Sequence, residues 1–151
     1  MKRPLAAVGG GIAGTAALTL LLLLFEVETR SRIGMFEVVA RFVGVPGNAS
    51  VGFLLFVAAG TLAWPLVFVA VEQSLPGDDP AMKGMGLGVL LWVAFVLLGR
   101  GDLSGPIVIA FAGLTLVAHL AYGYILGAVY SRLTGTTPTH GGSSDRPEMR
   151  G

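Results

Sequence analysis

The sequence predicts an all-α, polytopic membrane protein: four transmembrane helices, with a short interfacial amphipathic helix between the first two. Three observations predict it. Of 151 residues, 54% are hydrophobic and 13% are charged, where a soluble domain carries about 25% charged residues. Asp, Glu, Lys and Arg are absent from 4–25, 51–71, 84–99 and 103–131, and a spanning helix needs about 20 apolar residues, with a tolerance of about 17–25. These stretches are apolar on all sides, so they offer water no polar face and a soluble bundle is excluded.

The first span covers 5–26. Its basic start and apolar core resemble a signal peptide, but the Leu run passes directly into Phe25, Glu26, Val27 and Glu28 instead of small cleavage-site residues. It therefore reads as a retained helix. In "ETRSRIGMFEVVARFVGVPGNAS", Arg30, Gly34, Glu37, Arg41 and Gly44 recur at helical spacing opposite Ile33, Phe36, Val39, Phe42 and Val43. This predicts an interfacial helix over 31–44. Arg41 should face water, Phe36 and Phe42 should face lipid or the bundle, and Glu37 and Arg41 form a favourable i,i+4 pair. Pro46-Gly47-Asn48 is a turn. Asn48-Ala49-Ser50 matches a glycosylation sequon, but it lies so close to the next span that Ser50 reads better as a helix cap.

The second span covers 50–72, with a kink expected at Trp64-Pro65. Asp79 as N-cap and Pro80 at the first helical position open the third span, 80–99. Lys83 can snorkel and bring Ala81 and Met82 into it. "GRGDLSGP" is a tight loop in which Arg-Gly-Asp is turn chemistry and not an adhesion signal. The fourth span, 106–132, is long and should tilt or project. The tail, 134–151, is small, polar and Pro/Gly-rich, with the composition of a disordered segment.

Orientation follows Lys and Arg placement. With both termini cytoplasmic, the inside holds Lys2, Arg3, Lys83, Arg132, Arg146 and Arg150, and the outside holds Arg30, Arg32, Arg41 and Arg100. This bias, with the basic first residues, favours a multi-pass protein of the cell membrane with N- and C-termini inside. The formal net charge of +1 gives no strong pull on nucleic acid, and the absence of cysteine excludes disulfides, Cys-type zinc sites and thiol chemistry. No HExxH, GxSxG, P-loop or Rossmann fingerprint occurs, and no carboxylate pair is placed for acid–base work, because Glu26, Glu28 and Glu72 lie at helix ends where charges are usual. The expectation is a protein that is not an enzyme and has no metal site.

An internal repeat is suggested by setting 60–77 over 118–135. Leu62/Leu120, Ala63/Ala121, Ala70/Ala128, Val71/Val129, Leu75/Leu133 and Gly77/Gly135 match, Trp64 meets Tyr122, and Thr61 meets His119. Gly10/Gly14 align more weakly with Gly84/Gly88. The pattern is that of a 2+2 duplicated hairpin whose halves are related about the membrane normal.

Gly-xxx-Gly pairs occur at Gly10/Gly14, Gly84/Gly88 and Gly123/Gly127. With 23 glycines in the chain the spacing alone says little, but glycine inside spanning helices marks close helix–helix faces, within the molecule or toward a partner. His119 is the titratable group in mid-span. Polar groups at this depth face protein or water. The readings are a neutral histidine bonded across helices, with Thr61 and Thr115 as the candidate polar contacts, or a ligand contact for haem or quinone through His119 and Tyr122. Bis-histidine haem ligation would need a second histidine, and the other one, His140, lies in the tail.

"RSRIGMFEVVARFVGVPGN", "AWPLVFVAVE", "GRGDLSGP" and "HLAYGYILGAVYSRL" together resemble an uncharacterised family of small four-helix membrane proteins of haloarchaeal type, over about 1–133. The His-x-x-Tyr-Gly-x-x-x-Gly pattern at His119, Tyr122, Gly123 and Gly127 looks like more broadly spread small membrane proteins. The resemblance implies an archaeal membrane protein and a gene neighbourhood with terminal-oxidase subunits; it implies no reaction. The functional expectation is a non-catalytic accessory or assembly subunit of a larger membrane complex, with the respiratory class first. Its partners would be the bilayer, other subunits or copies of itself. The alternatives are a small oligomeric transporter or channel, against which the lack of intramembrane charge argues, and a haem- or quinone-binding protein using His119.

Overall fold

The computed structural model describes residues 1–29, 35–99 and 105–136. Four helices are long and apolar enough to cross a membrane. They are α1 (Arg3–Thr29), α3 (Ala49–Ser74), α4 (Pro80–Gly99) and α5 (Pro106–Thr134), and the short α2 (Met35–Phe42) sits between α1 and α3. At eight residues, α2 is about 12 Å long and cannot span. Its expected first residues, 31–34, lie outside the described residues, as do the Arg-Gly-Asp loop, the tail from 137 onward and His140.

Local chemistry explains the ends. Asp79 Oδ1 accepts the Met82 N–H at 2.9 Å, with Pro80 in the first turn of α4. At α3 the cap is Asn48 and not Ser50, because Asn48 Oδ1 accepts the Val51 N–H at 3.1 Å. α5 stops at Gly135, whose φ of 72° is left-handed and suits glycine.

α5 organises the bundle. It packs closely on α4 along one side and on α1 along the other, while α1 carries α3. The α4–α5 crossing is reciprocal. A Cβ on Gly84 would land on the Gly123 carbonyl oxygen, and a Cβ on Gly123 would land on that of Gly84. Gly88 lies against the His119 carbonyl and Gly127 against that of Pro80. On the other side, Gly10 lies against the Leu126 carbonyl and Gly14 against Tyr122. Without a hydrophobic drive between helices in lipid, such backbone proximity supplies the dispersion contact that holds them. Trp92 Nε1 adds a 2.9 Å bond to the Ala112 carbonyl.

α2 buries Val38 and Ala40 and exposes Glu37 and Arg41. Phe36 meets Phe53 and Phe56 edge-on, and Phe42 meets Phe95. Gly52 admits the backbone of α2 at Phe36, and Gly99 admits Val38. α2 therefore closes the bundle at the end where α3 begins and α4 finishes. Among the described residues, ion-pair distance is met by Arg3 and Glu72 and not by the expected Glu37 and Arg41.

Candidate functional site

α3 is broken where proline was expected to kink it. Residues Ala59–Ala63 form a π-helical turn, and the Trp64 N–H donates to the Ala59 carbonyl, five residues back. The same spacing assigns the Gly60 carbonyl to residue 65, which is proline and has no N–H. Lipid cannot supply the missing donor. Tyr122 of α5 does, its hydroxyl donating to the Gly60 carbonyl at 2.6 Å. Gly11 lets α1 approach the same break, where a Cβ would meet Pro65 and the Gly60 carbonyl. The buried Thr15 hydroxyl lies against Gly60 with no hydrogen-bond partner among the described residues.

Beside this break is a cleft of about 390 Å³. Phe56, Gly60 and Trp64 of α3 form one wall, and Leu91 and Phe95 of α4 form the other. Thr115, His119 and Tyr122 of α5 are its floor, and Phe42 of α2 lines one end. Trp64 and Leu98 line it while remaining exposed, so the mouth opens sideways toward lipid.

The floor is polar but mostly committed. The Thr115 hydroxyl donates to the Phe111 carbonyl at 2.7 Å. His119 Nδ1 is 2.7 Å from the Thr115 carbonyl oxygen, which can only accept, so the ring hydrogen sits on Nδ1. Nε2 then carries a lone pair, and it has no hydrogen-bond partner among the described residues. The ring also meets Phe95 at 5.3 Å between centroids. Thr61 is not brought to His119. Its hydroxyl bonds back to the Val57 carbonyl at 2.7 Å, the usual local option for threonine in a helix. Tyr122 lines the cleft, and its hydroxyl hydrogen is committed to the Gly60 carbonyl.

These features are assembled by a chain with family relatives. The chain belongs to the family of unknown function DUF6789. The match covers residues 1–141. It matches no curated protein and no solved structure. Any role for this DUF6789 member is therefore argued from its own residues. Among the described residues no three His, Cys, Asp or Glu side chains cluster for a metal, and on the floor of the cleft His119 Nε2 is the ring nitrogen left without a hydrogen-bond partner among those residues.

A second polar cluster went unread in the sequence. Glu72, expected to be an ordinary helix-end charge, is 7% exposed. It accepts a 2.8 Å hydrogen bond from the Tyr130 hydroxyl and lies 4.0 Å from Arg3. The Tyr130 ring is itself held edge-on by Phe68. The cluster ties α1, α3 and α5 together at the end opposite α2. The two contacts to Glu72 should differ in strength. A hydrogen bond to a charged group contributes about 1.5–3 kcal/mol, whereas an exposed ion pair gives about 0–1, and the Arg3 side chain is 55% exposed. Tyr130→Phe should therefore lower the unfolding free energy in detergent by more than Arg3→Ala. The reverse order would move the stabilisation to the ion pair.

Proposed function

We propose that this protein is a non-catalytic accessory or assembly subunit of a larger complex in the cell membrane, with both termini cytoplasmic. The single observation that supports it is Gly113. The other glycines inside the described spanning helices sit against a neighbour, but a Cβ on Gly113 would meet nothing within 4 Å. Glycine inside a helix costs about 0.5–1 kcal/mol relative to alanine. Elsewhere in the bundle close packing offsets that cost, and here nothing among the described residues does. Ala110, Ile109 and Val117 are exposed beside it on α5. A small, apolar, unfilled face on a spanning helix is what another helix packs against in lipid.

The proximity of the start of α1 to the end of α5 agrees with the proposed topology. The Met1 amino group is 3.5 Å from the Leu133 carbonyl, so the start of α1 and the end of α5 share one side. The basic residues of 1–3 make that side the cytoplasmic one. Respiratory membranes are the first place to look.

Gly113→Leu tests the reading. The space is open, so the variant should fold and keep the wild-type unfolding midpoint. Purified from native membranes in mild detergent, it should lose the subunits that co-purify with the wild type. Equal co-purification by the two proteins would remove Gly113 as the interface. A homogeneous homo-oligomer with no other subunit would replace the accessory reading with the channel class.

A further inference from the structure

We propose that the cleft beside the α3 break binds an apolar molecule ending in an aromatic hydroxyl, a lipid-soluble phenol or quinol, with its O–H donating to His119 Nε2. Each donor on the floor is already used: the Tyr122 hydroxyl on Gly60, the Thr115 hydroxyl on Phe111 and His119 Nδ1–H on Thr115. What remains are acceptors, the lone pairs of the two hydroxyl oxygens and Nε2, of which Nε2 is the one with no hydrogen-bond partner among the described residues. A ligand headed by a carbonyl alone would find no free side-chain donor on Thr115, His119 or Tyr122, and among the described lining residues would have to turn to the Trp64 indole N–H on the α3 wall. A ligand headed by a hydroxyl brings the missing hydrogen.

The surroundings select the rest of the molecule. Phe95 lies against the imidazole and Phe56 and Tyr122 line the same space, so the head meets aromatic faces on which a ring can stack. At about 390 Å³ the cleft falls in the range of about 300–1,000 Å³ usual for small-molecule sites. Its walls are aliphatic and aromatic, and its mouth at Trp64 and Leu98 faces lipid, so an apolar tail can extend into the bilayer. The Nδ1–H to carbonyl bond fixes the ring and its tautomer, and so presents Nε2 before a ligand arrives. This site goes beyond the subunit reading and does not depend on Gly113.

The test uses para-dodecylphenol and para-dodecylanisole, which share ring and tail and differ in the hydroxyl hydrogen. The full chain is titrated with each probe in detergent micelles, and occupancy is read by native mass spectrometry. The phenol should bind one per chain, and the anisole about three- to ten-fold more weakly, the range spanned by one hydrogen bond of about 0.6–1.4 kcal/mol. His119→Leu should bring the phenol down to the anisole level. Ala94→Trp, which adds bulk at a position of α4 that lines the cleft and is not one of the three floor residues, should remove both, and it keeps the proposal testable if His119→Leu does not fold. Equal binding of the two probes by the wild type would overturn the proposal, as would no discrete binding. A haem absorption band in the native protein that disappears in His119→Leu would also overturn it, by giving Nε2 to iron.

Discussion

Gly123→Val should destabilise the bundle by about 3 kcal/mol, and Gly84→Val should do the same. A Cβ at either position lands on the carbonyl oxygen of the other, and at Gly123 it also crowds the Met85 Cα. These are backbone atoms, which cannot swing away as the end of a side chain can. Overpacking a well-packed core costs about 1–3 kcal/mol and occasionally more. Here both helices would have to separate along the crossing that also holds Gly88 and Gly127, so the upper end is expected. Helix propensity points the other way, since replacing glycine gains about 0.5–1 kcal/mol in a helix. The control is Gly113→Ala, which has open space and should be neutral or stabilising. Reversible unfolding in mixed detergent micelles reads both variants. A Gly123→Val protein with the wild-type midpoint would contradict the α4–α5 crossing.

Tyr122→Phe should cost about 1–3 kcal/mol, more than an ordinary hydrogen bond within a membrane. Such bonds average about 0.6 kcal/mol in double-mutant cycles, with a maximum near 1.7, because their groups usually find other partners. At the π-helical spacing the residue that would supply the Gly60 carbonyl is Pro65, which has no N–H. Leaving a buried acceptor unpaired costs about 1–3 kcal/mol, and phenylalanine keeps the ring that packs on Gly14. Thr115→Val is the comparison. Its hydroxyl bonds the Phe111 carbonyl four residues back, within the same helix. The backbone N–H of residue 115 can still serve that carbonyl, so the loss should be at or below the average. If the two variants lose equal stability, the special standing of the Gly60 carbonyl is lost.

The spans were legible because the signal is redundant. Absence of charge, length and flanking caps all point to the same four segments, and Asp79-Pro80 marks one start to the residue. The six glycines at Gly10, Gly14, Gly84, Gly88, Gly123 and Gly127 could be named, but their spacing could not say which carbonyl each would meet. Pro65 announced a disturbance in α3. Its repair was hidden, because Tyr122 lies 62 residues from Gly60 and such a bond leaves no local pattern. Glu72 was misread for a related reason: a charge at a helix end is normally solvated, and its burial depends on Tyr130, 58 residues away. One signal could have found it. The alignment of 60–77 with 118–135 has an offset of 58, so it sets Glu72 opposite Tyr130 and implies a similar depth for both. The same alignment misled at Thr61, where threonine's bond to its own helix outcompeted the expected partner His119.

A single hydroxyl from α5 completes the backbone that Pro65 leaves open in α3. The measurement that reaches it most directly is the coupling free energy between Tyr122→Phe and Pro65→Ala, from reversible unfolding of the wild type, both single variants and the double variant. Alanine at 65 restores an N–H within reach of the Gly60 carbonyl, so the Tyr122 hydroxyl becomes dispensable. Tyr122→Phe should then cost about 1–3 kcal/mol in the wild type and little in the Pro65→Ala background, a coupling of about 1 kcal/mol or more. Additivity within about 0.3–0.5 kcal/mol, the behaviour of independent sites, would contradict the claim.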